Sequence, residues 1–225
     1  MSRGGLPALA GLEIADDPGV WDALGFDIGA GGIVVTGDVA IHLAGAAAGD
    51  APAGIRGWAL RAAEPLPVRL DGIPTRTLAV GDRVDAATHP NAVSGVDHVV
   101  VTTPDLERTL TALRAAGMEV RRTREAGSAE HPLRQAFLWA GDVLVEVAGP
   151  PQAAGEEPAR LWGLVLVVPD VDALAERWGA HLGTPRDAVQ PGRRIVSLGR
   201  QAGSSVRVAF MTPHQRAGEP VESGI

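Results

Sequence analysis

The feature that most constrains the fold is a unit that the chain repeats. Residues 95–127 read GVDHVVVTTPDLERTLTALRAAGMEVRRTREAG, and residues 133–149 read LRQAFLWAGDVLVEVAG. Residues 161–179, LWGLVLVVPDVDALAERWG, match 96–114 without a gap, with Pro169-Asp170 standing where Pro104-Asp105 stands. Repeats of this size are duplicated supersecondary units, whose apolar faces are buried by stacking against their copies.

The central copy reads as strand, helix and three strands. Residues 96–102 are short and rich in Val, which suits a strand. Thr103 is the expected helix cap and Pro104 the first helical position, where its missing N–H costs nothing. Asp105 and Glu107 complement the positive end of the helix, and Leu106, Leu110 and Leu113 recur on one face. Gly117 follows as the terminating glycine. Residues 118–123, 133–139 and 143–147 supply the remaining strands, the last two joined by a turn at Ala140-Gly141-Asp142. In the second copy, Val171, Leu174 and Trp178 form the apolar helix face, and residues 189–213 supply two strands around a Gly/Ser turn.

A third, degenerate echo lies upstream. GDVAIHLAG at 37–45 matches GDVLVEVAG at 141–149, which puts His42 at the Glu146 position. GIRGWALR at 54–61 resembles another first strand, with Gly57 at the His98 position. Residues 66–70 and 75–80 are two strands around a hairpin turn at Asp71-Gly72. The chain therefore divides into a divergent N-terminal region at 1–85, a linker at 86–93, a paired-module domain at 94–213 and a flexible tail at 214–225. Residues 29–32 and 44–54 are loops by composition, and 152–158 joins the two clear modules.

Two polar residues interrupt the most apolar strands: His98 in the first and Glu146 in the last. Side chains alternate across a strand, so Val96, His98 and Val100 share one face, as do Leu144, Glu146 and Ala148. A carboxylate on such a strand is costly unless it is paired or metal-bound. The second copy carries Gly163 and Ala209 at these two positions.

Paired βαβββ units with a His in the first strand and a Glu in the last resemble the vicinal oxygen chelate superfamily. It includes glyoxalase I, methylmalonyl-CoA epimerase, extradiol dioxygenases and the fosfomycin and bleomycin resistance proteins. The resemblance covers 95–213 well and 12–80 weakly. It implies an α+β, glyoxalase-like fold of repeated βαβββ modules whose sheets curl around a shared cleft. It also implies a divalent metal (Zn, Fe, Mn, Co or Ni) held by His98 and Glu146, with the partner ligands replaced by Gly163 and Ala209. In chemical terms such a metal binds two adjacent oxygens of a substrate and stabilises an enolate. Without metal, Glu146 is a base for a proton next to a carbonyl. Two functions follow: an isomerase, lyase or epimerase with His98 and Glu146 as catalytic residues, or a metal-free binding protein like the bleomycin resistance proteins. Extradiol cleavage would want a second His at Gly163.

Other residues enter as ligand contacts. Gln135, Phe137 and Trp139 share a face of one strand, and aromatic surface with one amide suits a pocket lining. One of Arg193 and Arg194 points inward, where a guanidinium would hold a carboxylate or phosphate; the equal alternative is edge-strand charge. His42 would add a ligand only if the N-terminal region packed over the same cleft. Arg121, Arg122 and Arg124 read as a solvated strand face, and His89 and His131 as solvated loop residues.

Composition removes several classes. There is no Cys, so disulfide and thiolate chemistry are excluded, and the net charge of −7 disfavours nucleic acid. No run is long enough to span a membrane and no secretory leader opens the chain, so the expected location is cytoplasmic. No G-x-G-x-x-G, P-loop or G-x-S-x-G motif is present. The expected partner is a small molecule, and the protein a monomer or homodimer.

Overall fold

A computed structural model describes residues 7–45, 53–82 and 87–214. The expectation for the tail concerns 215–225 and lies outside the described residues, as do parts of the expected loop at 44–54 and of the linker.

The central unit forms β7 (Gly95–Thr102), α2 (Leu106–Ala115), β8 (Val120–Gly127), β9 (Pro132–Ala140) and β10 (Val143–Gly149). Asp105, not Thr103, caps α2: its carboxylate accepts from the Arg108 N–H, while the Thr103 hydroxyl bonds the backbone of Asp105. Pro104 therefore lies outside the helix. Gly117 takes φ 91°, the left-handed terminator expected there. Leu106, Leu110 and Leu113 are buried. The second unit forms β11 (Arg160–Val167), α3 (Val171–Trp178), the two-residue β12 (Arg186–Asp187), β13 (Arg194–Ser197) and β14 (Arg207–Met211). All eight of these strands join one sheet, in the order β12-β13-β14-β11-β7-β10-β9-β8.

The N-terminal stretch forms β1 (Ala8–Ile14), a short α1 (Pro18–Asp22), β2 (Ile33–Thr36), β3 (Val39–Leu43), β4 (Ile55–Arg61), β5 (Arg69–Leu70) and β6 (Ile73–Leu78). Its six strands make a second sheet, ordered β2-β3-β1-β4-β6-β5. The pairing repeats that of the larger sheet. β1 runs parallel to β3 and antiparallel to β4, and β4 parallel to β6, as β7 does with β10 and β11, and β11 with β14. Asp71 and Gly72, at φ 45° and 87°, make the two-residue turn between Leu70 and Ile73. The fold is thus α+β and built from repeated units, with the helices dwindling to α1 and then to none in the N-terminal copies.

One hydrophobic core serves both sheets. Leu9, Leu12 and Ile14 of β1, Val99 and Val101 of β7, and the apolar faces of α2 and α3 belong to a single buried cluster. Residues that alternate with these on each sheet, His98 and Gly11 among them, lie on the opposite, cleft-forming face.

The four central strands share an irregularity. Each first strand carries one extra residue against its antiparallel neighbour: Ala10, Arg56, Asp97 and Trp162. These positions coincide in the repeat, each directly preceding Gly11, Gly57, His98 or Gly163. A bulge of this kind breaks the alternation and brings two successive side chains towards one face.

Candidate active site on the eight-stranded sheet

Register builds the cleft row by row. His98 stands opposite Leu144, and Leu144 opposite Trp139. Val100 stands opposite Glu146, then Phe137, then Arg122. Thr102 stands opposite Ala148, then Gln135, then Arg124. Cross-strand partners share a face, so His98, Glu146, Gln135, Phe137 and Trp139 come together as the sequence suggests.

His98 is buried and both of its ring nitrogens are committed by direction. Nδ1 lies 2.7 Å from Asp97 Oδ2, and Nε2 faces Glu146 Oε2 across 3.9 Å. Sequence neighbours on a regular strand point to opposite faces, so the Asp97–His98 contact exists because the bulge falls at Asp97. Asp97 in turn accepts from Arg193 NH2. Burial alone raises the Asp97 carboxyl, but hydrogen bonds from His98 and Arg193, with their charges, outweigh it and hold the group down at about 2.

Glu146 accepts from Gln135 Nε2, and Gln135 Oε1 accepts from Arg124 Nε at 2.9 Å. The polar row therefore runs Asp97, His98, Glu146, Gln135, Arg124 across β7, β10, β9 and β8. Arg122 lies 4.5 Å above the Phe137 ring. The basic run of β8 is thus not merely a solvated face: Arg122 and Arg124 brace the cleft.

The remaining expected residues fall as follows. Arg193 is inward, 2% exposed, and its guanidinium serves Asp97 and the Thr212 carbonyl of its own chain. Arg194 is outward, paired with Asp172 and Asp187. His42 lies on the six-stranded sheet and lines a separate cavity there, so it does not join His98. His89 is buried, not solvated, with its ring between the Asp27 N–H and the Val35 carbonyl. The alternation pattern sends Asp97 away from the site, and the basic run of β8 gives no sign that Arg124 meets Gln135. Trp162, 47% exposed at the bulge position equivalent to Asp97, is the other unheralded residue.

Gly163 is more than a missing ligand. A Cβ there would meet the Arg207 carbonyl at 2.5 Å, and at the equivalent Gly57 and Gly11 the carbonyls of Pro74 and Ala40 at 2.8 and 3.1 Å. At Gly163 and Gly57 the parallel neighbour sits too close for a side chain, at Gly11 the contact is tight, and His98 stands where the fourth repeat accommodates one. Ala209 faces Val165 in the register that Glu146 has with Val100, so the sequence correspondence holds in space.

No family model matches the chain, and no curated protein matches it. Among solved structures, a substituted 4-hydroxymandelate synthase from Streptomyces coelicolor aligns over 94% of this chain and 94% of its own, at 14% identity and a TM-score of 0.64. Methylmalonyl-CoA epimerase from Mycobacterium tuberculosis aligns over 55% of this chain and 91% of its own, at 19% identity and a TM-score of 0.43. The Streptomyces coelicolor epimerase, in complex with 2-nitronate-propionyl-CoA, aligns over 55% and 99%, at 23% and 0.42. The likeness that runs the length of the chain shows the fold: it is that of the vicinal oxygen chelate superfamily.

Proposed function

We propose that the cleft of the eight-stranded sheet binds a small molecule carrying adjacent oxygens, and that His98 and Glu146 move a proton on it, as an isomerase, epimerase or lyase working through an enolate does. One observation carries this: His98 Nε2 and Glu146 Oε2 face each other across 3.9 Å, each oriented from behind. The gap is too wide for a hydrogen bond and wide enough for one atom about 2.8 Å from each. With Nδ1–H donated to Asp97, Nε2 presents its lone pair as a base. The proton next to a carbonyl passes to one of the two groups, the electron pair moves onto the carbonyl oxygen, and the same group gives that proton back to the enolate as the carbonyl re-forms. Gln135 fixes the carboxylate, Arg124 fixes the amide, and Trp139 and Phe137 give the apolar surface.

His98 and Glu146 are also the residues that would hold a divalent metal, which would supply Lewis-acid polarisation of the two oxygens. Two protein ligands are one fewer than a catalytic metal site ordinarily has. Asp97 is spent on Arg193, and no group of three His, Asp or Glu suited to a metal occurs among the described residues. The proton-transfer reading rests on the side chains alone. A second reading, a metal-free binding protein, is favoured by the glycine forced at position 163. Both modules lie in one chain, so the cleft needs no second copy in either reading.

Solvent deuterium incorporation tests the choice. In D2O, a panel of 2-oxo acids, 2-hydroxy ketones and acyl thioesters is followed by proton NMR, with EDTA and separately with added Zn, Mn or Co. Exchange at the carbon next to the carbonyl, reduced at least about 100-fold in Glu146→Gln and His98→Gln, supports the enzyme. Binding without exchange supports the binding protein. Equal exchange in wild type and variants sinks the assignment of these residues.

A further inference from the structure

The six-stranded sheet carries a half-open cavity of about 600 Å³ on its own cleft face, between β1, β3, β4 and β6. It is the counterpart of the cleft holding His98 and Glu146, but its chemistry is different. At the two positions equivalent to Glu146 stand His42 and Arg76, since Glu13 faces His42 and Ala59 faces Arg76 in the same register. The two His98 positions are Gly11 and Gly57, which leave the floor open.

Arg61 is the telling residue. It lines this cavity, is only 8% exposed, and its guanidinium hydrogen-bonds two main-chain carbonyls, of Asp82 and Asp38. No carboxylate among the described residues forms an ion pair with it. A buried charge left without a counter-charge is costly. Arg76, also on the wall and exposed, likewise has no carboxylate partner among the described residues. The acid facing the cavity from β1, Glu13, is already 3.8 Å from Arg56. Three guanidinium groups, of Arg56, Arg61 and Arg76, thus border one cavity beside two acids, Glu13 and Asp82, in a chain whose net charge is −7. Ile33 and Val68 on the same wall are exposed apolar side chains, at 37% and 80%.

We propose that this cavity is a second ligand site, independent of the His98–Glu146 cleft, for a small organic oxyanion with an apolar body: a carboxylate or a phosphate monoester. Arg61 and Arg76 meet the anionic end, where a guanidinium donates two parallel hydrogen bonds, and Ile33 and Val68 cover the apolar part. No chemistry is assigned to the site; among the described residues, no carboxylate hydrogen-bonds His42 as Asp97 does His98.

The probes are benzoate, phenyl phosphate and the neutral control benzamide, titrated into the full chain and followed by backbone amide NMR. Benzoate or phenyl phosphate is expected to shift the amides of Gly11, His42 and Gly57 saturably, with benzamide at least about tenfold weaker. Arg76→Gln is expected to weaken the anion about tenfold, the loss of one charge-assisted contact, while His98→Gln leaves it unchanged. Arg61→Gln tests the buried end; if that variant does not fold, Arg76→Gln decides alone. Equal shifts from benzamide, shifts confined to the eight-stranded sheet, or an anion affinity indifferent to Arg76→Gln would each overturn the proposal.

Discussion

Asp97 holds the site together, and its electrostatics make it testable. Its carboxyl is lowered from 3.8 to about 2 in the folded chain. A depressed carboxyl contributes stability that is full above its unfolded value and is lost as pH falls through the folded one. The contribution, about 2 kcal/mol at roughly 1.4 kcal/mol per unit, therefore disappears between about pH 4 and pH 2. Asp97→Asn is expected to cost roughly 2–4 kcal/mol at pH 7, because Arg193 is left buried without its partner, and to flatten the acid limb. Denaturant unfolding at pH 7 and pH 3 checks both. His98 and Glu146 were legible in the sequence because each is polar on an apolar strand. Asp97 was not, because strict alternation assigns it to the other face, and the bulge that overrides alternation has no common residue: Ala10, Arg56, Asp97 and Trp162 occupy it in the four copies.

At the scale of elements, register explains both what could be read and what could not. The match of 161–179 to 96–114 carried strand and helix but not the cap, which Asp105 and Asp170 supply in α2 and α3 in place of the expected Thr103. Asp105→Ala is expected to lower the stability by about 1 kcal/mol, the usual cost of an N-cap, whereas Pro104→Ala has little effect; thermal melts of the two variants separate these roles. The forced glycines could not be read, since only the carbonyl of the parallel neighbour shows why a side chain is refused. Gly163→Ala is expected to cost about 1–3 kcal/mol through overpacking against Arg207. Gly163→His is expected to lower stability without creating metal affinity, measured by calorimetry with Zn and Co.

Across the whole molecule, two sheets of the same pairing share one core and carry two clefts of different chemistry. Buried carboxylates tie the copies together. Asp16 takes the Trp21 indole N–H at 2.9 Å and the Ser205 N–H at 2.7 Å, joining the start of the chain to the loop before β14. Asp71, in the β5–β6 turn, takes Arg108 Nε at 2.7 Å from α2. Asp71→Ala is expected to cost roughly 2–4 kcal/mol, since it removes a charged hydrogen bond and puts an unfavourable residue at positive φ; Asp71→Asn, which tolerates that φ, should lose less in the same denaturant measurement. Sequence similarity between the copies foretold that the N-terminal stretch repeats the unit, but not that it would keep a cleft of its own, because His42 gives no sign of which sheet it joins. The proposed proton transfer turns on how the larger sheet presents His98. The most direct measurement is nitrogen-15 NMR of the histidine side chains at pH 8.5. The structure predicts the His98 ring proton on Nδ1 and the lone pair on Nε2 towards Glu146, and loss of that preference in Asp97→Asn. A proton on Nε2 in the wild-type protein would mean that Asp97 does not orient the ring, and the proposed base would not be there.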